Sequence, residues 1–311
     1  MKRLHWLRVA VSIAVLWVIF TKIPLRAVGD VLGKVTPLPL FFAFLFYLCG
    51  QTLSAYKWRL LAAPLGFQRR FRDYLSYYFI GMYFNLFLPT NVGGDVGRGY
   101  YLAAENKQWT LAYYSILAER ASGTLALFLV ASLGILVSGG ASLPLWISWG
   151  TGLATVALFG CLPAVPALLK VLRARVRILS PYIREEMTLY WKTPDLLVRA
   201  LLLSALFHLL LVLIHFLIGR AMGLQLPVSS YLVTAPLTGL AAFLPVSFNG
   251  IGIREAAYIF FLGSFGAGPA VAFSFGILWL AVVVAASLLG GGAFLLKRRE
   301  KFPTTESRPD A

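Results

Sequence analysis

The chain has 311 residues, of which 59% are hydrophobic and 13% charged, with a mean hydropathy of +0.78. Soluble domains carry about 25% charged residues, so a water-soluble enzyme or binding module is excluded, and several apolar runs reach the ~20 residues needed to cross hydrocarbon. The net charge of +16 does not indicate nucleic acid: the basic residues fall between apolar runs, at Lys57, Arg59, Arg69, Arg70 and Arg72, from Lys170 to Arg199, and at Lys297 to Arg299, which is the positive-inside pattern of a membrane protein without any nucleic-acid module.

In chain order, Lys2, Arg3 and Arg8 precede an apolar stretch to Phe20 with no small-residue cleavage site after it, so a retained first crossing at about 6–23 with a cytoplasmic N-terminus is expected. A second crossing is expected at 38–56 and further ones at 110–138, 144–169, 198–222 and 268–296. Between them, 74–104 and 229–264 are apolar but interrupted by Pro and Gly. The basic stretch 170–199, with Pro181 and Pro194, predicts a helix lying at the cytoplasmic interface, and the polar tail 301–311 predicts disorder. Cys49 and Cys161 lie in apolar runs, with no disulfide or zinc spacing, and are expected in helix packing. Gly290, Gly291 and Gly292 predict a close helix contact.

The two interrupted segments read alike. Phe87-Leu88-Pro89, Gly94 and Arg98 recur at the same spacing as Phe243-Leu244-Pro245, Gly250 and Arg254. Paired breaks in corresponding halves point to a transporter's substrate site. Charge then decides the threading. A single crossing by 74–104 would place Lys170, Arg173, Arg175, Arg177 and Arg184 outside, whereas a re-entrant segment keeps them inside. The same reasoning makes 229–264 re-entrant, so that Lys297 to Arg299 and the C-terminus are cytoplasmic. The first segment then enters from the cytoplasm and the second from the outer face. The expected fold is all-α and polytopic: about six transmembrane helices plus two re-entrant hairpins in an inverted repeat. It forms one domain over 1–300, with halves at about 38–169 and 198–296. Pro89, Gly93, Gly94, Pro245, Gly250 and Gly252 are the breaks, expected to meet near the midplane around a polar space.

Ionisable groups at that depth are costly and usually paired or functional. Asp95 and Arg98, three apart, can share a helical face; they either take part in substrate handling or stitch the loop shut. Glu119 and Arg120 diverge by about 100°, so each is expected to reach a different partner: Glu119 an arginine, Arg120 either Asp95 or an anionic head group. The alternative is an interfacial pair that snorkels to water. Arg254 and Glu255 follow a Gly-rich helix start suited to a phosphate, or else form a local pair in a packing turn. Asn85, Asn91 and Asn249 flank the breaks, where they satisfy freed backbone groups or touch substrate. His208 and His215, seven apart, suggest interhelical hydrogen bonding or a protonation switch; neither metal nor cofactor is indicated.

The run from Asn85 through Leu88-Pro89, Gly93-Gly94-Asp95 and Arg98, then Glu119-Arg120 with Gly123, then Pro245 with Asn249-Gly250-Ile251-Gly252 and Arg254-Glu255, resembles the signature of the lysylphosphatidylglycerol synthase transmembrane-region family. That family includes the membrane half of the multiple peptide resistance factor. The resemblance implies a flippase-like fold with paired re-entrant segments. In two-part members, the membrane half translocates an aminoacylated phospholipid made by a C-terminal synthase domain. Some fifteen residues follow the last crossing here, so aminoacyl transfer is not expected, and the protein is not expected to be an enzyme. Relatives in glycolipid, polyprenyl-phosphate and hopanoid pathways widen the choice of lipid.

The expected function is translocation of an anionic or zwitterionic lipid, or of a polyprenyl-phosphate-linked lipid, across the cell membrane. Arg98, Arg120 and Arg254 would neutralise its phosphate, and Asp95, Glu119 and Glu255 would hold those arginines apart. No G-x-x-x-x-G-K-[ST] loop occurs, so transport is expected to be downhill or ion-coupled. Two alternatives stand beside it: an integral-membrane lipid-modifying enzyme using Asp95, Glu119 or His208, and a non-catalytic partner of a lipid-synthesising enzyme. The partners expected are membrane lipids, not nucleic acid, and the oligomeric state is left open.

Overall fold

The computed structural model describes residues 2–88, 93–104, 106–139, 143–176, 185–244 and 246–301. Pro89, Asn91 and Pro245, and the tail from 302, lie outside the described residues. The described residues form helices and no strands, as expected where backbone groups must be satisfied without water. In order these are α1 (Lys2–Lys22), α2 (Leu25–Leu32), α3 (Pro37–Ala62), α4 (Phe71–Phe87), α5 (Gly93–Ala103), α6 (Trp109–Val137) and α7 (Leu145–Cys161). Then follow α8 (Val165–Arg175), α9 (Leu189–Lys192), α10 (Pro194–Ala221), α11 (Val228–Phe243), α12 (Ile253–Ser264) and α13 (Pro269–Lys301).

Five helical stretches among the described residues are long and apolar enough to cross a membrane, and α1 with α2 makes a sixth if the bent pair is one span. The protein is an all-α, multi-pass membrane protein. The α1–α2 pair bends by 85° where Pro24 takes an extended conformation; its ring and missing N–H prevent α1 from continuing. This second short helix is absent from the sequence reading. The crossing expected at 144–169 runs on to Arg175, through a 3₁₀ turn at Leu162–Ala164.

Two expectations are corrected. Among the described residues the stretch 170–199 is not one interfacial helix: its start extends α8, its end opens α10 at Pro194, and α9 before it has four residues; 177–184, with Pro181, lie outside the described residues. Proline is well placed in the first turn of α10, where no N–H partner exists. Cys49 and Cys161 are exposed on the outer surface of the bundle rather than packed between helices.

The helices of the two interrupted segments have 17 and 11 residues (α4, α5) and 16 and 12 residues (α11, α12), below the ~20 of a full crossing. Each pair packs on itself. Asn85 meets Gly94, Phe84 meets Gly97, and Tyr77 stacks on Tyr101, so α4 and α5 are antiparallel. The ends of the pairs fall at opposite ends of the bundle. One hydrophobic cluster joins Trp58 and Leu61 of α3, Tyr74 of α4, Leu102 of α5, Leu111 of α6 and Ala200 of α10. Another joins Ala43 at the start of α3, Ile218 near the end of α10, Tyr231 of α11, Leu262 of α12 and Ala272 of α13. Thus α4 begins and α5 ends at one pole, while α11 begins and α12 ends at the other.

Glycine sets the closest approaches. A Cβ on Gly94 would collide with the Gly81 carbonyl, and one on Gly290 with the Phe79 carbonyl, which lets α13 lie directly on α4. Gly291 meets the Tyr83 ring, while Gly292 faces open space.

Candidate functional site

The site grows from a polar stripe on α3. Gln51, Ser54 and Lys57 recur every third residue within an apolar helix, and all three line a cavity of about 330 Å3. The cavity is closed by Asn85 and Tyr78 of α4, Asp95 and Arg98 of α5, Glu119 and Arg120 of α6, His208 of α10 and Phe243 of α11. Both interrupted segments therefore contribute, but the charges come from the first half of the chain.

Those charges form an alternating row. Lys57 Nζ lies 3.3 Å from Glu119 Oε1. Arg98 Nη2 donates to Glu119 Oε2 at 2.8 Å, and Arg98 Nε to Asp95 Oδ1 at 3.1 Å. Arg120 grips Asp95 with two bonds, Nε to Oδ2 at 3.0 Å and Nη2 to Oδ1 at 2.9 Å. The sequence of signs is plus, minus, plus, minus, plus, with one positive charge in excess. Lys57 and Arg98 are almost wholly buried, whereas the Arg120 side chain at the end of the row is 39% exposed. Buried charges persist only when paired and hydrogen-bonded, and every inner member meets that condition on both sides.

The supporting contacts hold the row in place. Lys57 also donates to the Glu119 carbonyl and to Ser204 Oγ, which uses its three protons. The Arg98 guanidinium lies 5.0 Å from the Trp58 ring and 4.9 Å from the Tyr78 ring, within cation–π range of both. Arg98 Nη1 is buried and makes no hydrogen bond. The Phe243 ring lies over Arg120 at 5.7 Å, so an aromatic residue of the second motif covers the exposed cation at the end of the row.

Sequence reasoning placed Lys57 among the loop charges; it is instead a buried member of the row on α3. The three-residue recurrence of Gln51, Ser54 and Lys57 is the signal that could have found it. Glu119 does reach an arginine, and Arg120 reaches Asp95. Asn85 Oδ1 accepts the Gly94 amide at 2.6 Å, and Asn249 Nδ2 donates to the Asn85 carbonyl at 3.0 Å. Both asparagines satisfy backbone groups at the breaks, and the second bond ties the breaks together.

Asn249, Arg254 and Glu255 lie outside the cavity lining. Glu255 folds back to accept the Gly252 amide at 2.7 Å and takes Arg254 Nε at 3.1 Å, so this part of the second motif is a capped helix start with a local ion pair. The backbone requires its glycines: Gly250 and Gly252 have φ of +76° and +85°, and Gly252 packs on Ser12 and Val15 of α1. His208 Nε2 bonds the Gly123 carbonyl at 3.0 Å, and His215 Nε2 bonds the Tyr258 hydroxyl at 2.8 Å, so both histidines make interhelical hydrogen bonds.

A family model described as the lysylphosphatidylglycerol synthase TM region matches residues 5–302. The chain belongs to this family. The match takes in both interrupted segments and all five members of the charged row. No curated protein and no solved structure matches the sequence.

Proposed function

We propose that this protein translocates a phosphate-bearing lipid across the cell membrane, with both termini in the cytoplasm. The observation that carries this reading is the odd-numbered row of charges ending at Arg120. An anion arriving at that end extends the alternation by one and cancels the surplus charge. Arg120 can keep Asp95 while presenting its outer face to a phosphate. The cavity volume of about 330 Å3 is at the lower bound for ligand pockets and suits a head group whose acyl chains stay in lipid.

The opposed poles of the two hairpins support reading them as re-entrant segments of an inverted repeat, the architecture in which alternating access operates on a fixed central site. Substrate passage is then downhill or ion-coupled. A lipid-modifying enzyme would instead consume its substrate, and one experiment separates the two. Purified protein is reconstituted with a fluorescent phospholipid, and the accessible fraction is followed after a membrane-impermeant quencher is added. Losing one charge-assisted bond of about 1.5–3 kcal/mol should slow Arg120→Gln about tenfold or more at equal reconstitution. Equal rates in wild type, variant and empty liposomes, or a chemically altered lipid, would end the proposal.

A further inference from the structure

A second cavity, remote from the charged row, lies between α8 and the segment 185–192. Its volume is about 470 Å3, and Lys170, Arg173, Lys192, Glu185, Trp191 and Leu169 line it together with Pro166 and Thr188. Three cations face one carboxylate. Arg173 Nη1 meets Glu185 Oε1 at 3.1 Å; among the described residues, Lys170 and Lys192 have no carboxylate partner. Surface cations without partners are ordinary, but these two converge with Arg173 on one hollow that Pro166, Leu169 and Trp191 also line.

The hollow is held open by contacts that do not involve its charges. Tyr190 is 1% exposed, donates its hydroxyl to the Leu61 carbonyl at 2.6 Å and stacks on Tyr114. Tyr114 in turn donates to the Met187 carbonyl at 2.6 Å. These bonds fix the 185–192 wall to the ends of α3 and α6. The Trp191 indole N–H donates to the Leu162 carbonyl at 3.1 Å, which fastens that wall to the other. The site is therefore preorganised, and little ordering is needed on binding.

Its position selects the ligand. The apolar window of the stretch Leu145–Arg175 buries none of its residues in the protein, and Leu168 and Val171 on α8 are each 54% exposed. Apart from its start, where Ile147 and Thr151 pack on the protein, this stretch leaves its apolar surface uncovered and ends in Lys170, Arg173 and Arg175. Trp191 sits beside those cations, as tryptophan does at the level of head groups. We propose that this hollow is a binding site for the phosphate of an anionic phospholipid, whose acyl chains lie along α7 and α8. Basic pockets between membrane helices at one face recognise such head groups.

The test is native mass spectrometry of the full chain in detergent, titrated with phosphatidylglycerol, phosphatidylcholine or inorganic phosphate. Phosphatidylglycerol should be retained in preference to phosphatidylcholine. At roughly one tenfold-or-less factor per surface cation, the triple variant K170Q/R173Q/K192Q should lose affinity for one lipid equivalent by about a hundredfold. Glu185→Gln, which removes the opposing charge from an exposed position, should gain about fivefold and does not depend on the triple variant folding. Wild-type retention by the triple variant, no gain in Glu185→Gln, or equal binding of phosphatidylcholine would each overturn the proposal. Displacement of phosphatidylglycerol by inorganic phosphate would assign the hollow to a free ion and overturn the lipid.

Discussion

Replacing Glu119 by Gln removes the carboxylate that lies between Lys57 and Arg98, at 3.3 Å and 2.8 Å, while keeping its shape. Two almost fully buried cations then lose a shared partner, and the surplus in the row rises from one charge to two. Breaking a buried pair by removing one side costs about 3–5 kcal/mol, and Glu119 serves two pairs, so a loss at the upper end of that range is expected. Lys57→Met costs less, because Arg98 still holds Glu119. In the double variant K57M/E119Q the surplus returns to one charge, and Ser204 loses the Lys57 ammonium as a donor but keeps its bond to the Ala200 carbonyl. Measured by reversible unfolding in detergent, the double variant should therefore be more stable than the sum of the single losses by about 1–3 kcal/mol, the scale seen for directly contacting residues. Additive losses would mean that Lys57 and Glu119 are energetically independent, and the description of the row as one electrostatic unit would be wrong.

Other perturbations probe the frame around the row. Gly94→Ala drives a methyl group into the Gly81 carbonyl; a loss of about 1–3 kcal/mol, read as a lower unfolding midpoint, is expected, and an unchanged midpoint would show that α4 and α5 are not in contact there. At Asn249, with φ of +50°, both Gly and Ala lose the side-chain bond to the Asn85 carbonyl, but Gly should be tolerated better than Ala by about 1 kcal/mol, because only Ala strains the left-handed backbone. His215→Phe leaves the buried Tyr258 hydroxyl without its partner and should cost about 1–3 kcal/mol; H215F/Y258F should recover part of that loss in the same unfolding assay.

The parts of this molecule legible in the sequence are those written in length and spacing. Apolar runs gave the long helices, and the Pro/Gly breaks located the two hairpins. The 100° divergence of Glu119 and Arg120 correctly separated their partners. What remained hidden depends on where a helix ends relative to its neighbours. Lys57 stands next to basic loop residues in the sequence, yet α3 continues to Ala62, and those extra residues carry Lys57 into the core. Arg254 resembles Arg98 in motif position, but the adjacent Glu255 captures it, whereas Arg98 shares its local acid, Asp95, with Arg120 and also reaches across to Glu119 on α6. The bend at Pro24 was visible as a residue but not as a new element, because α2 is only eight residues long.

The row of charges is built by α3, α5 and α6, whereas the ring shielding its open end belongs to α11. Opening and closing the mouth of the cavity thus separates mechanically from dismantling its wiring. A turn of the Phe243 side chain alone forfeits an aromatic contact of about 0.5–2 kcal/mol and leaves each ion pair intact. Such a division of labour assigns the cover to one half of the chain and the electrostatic floor beneath it to the other.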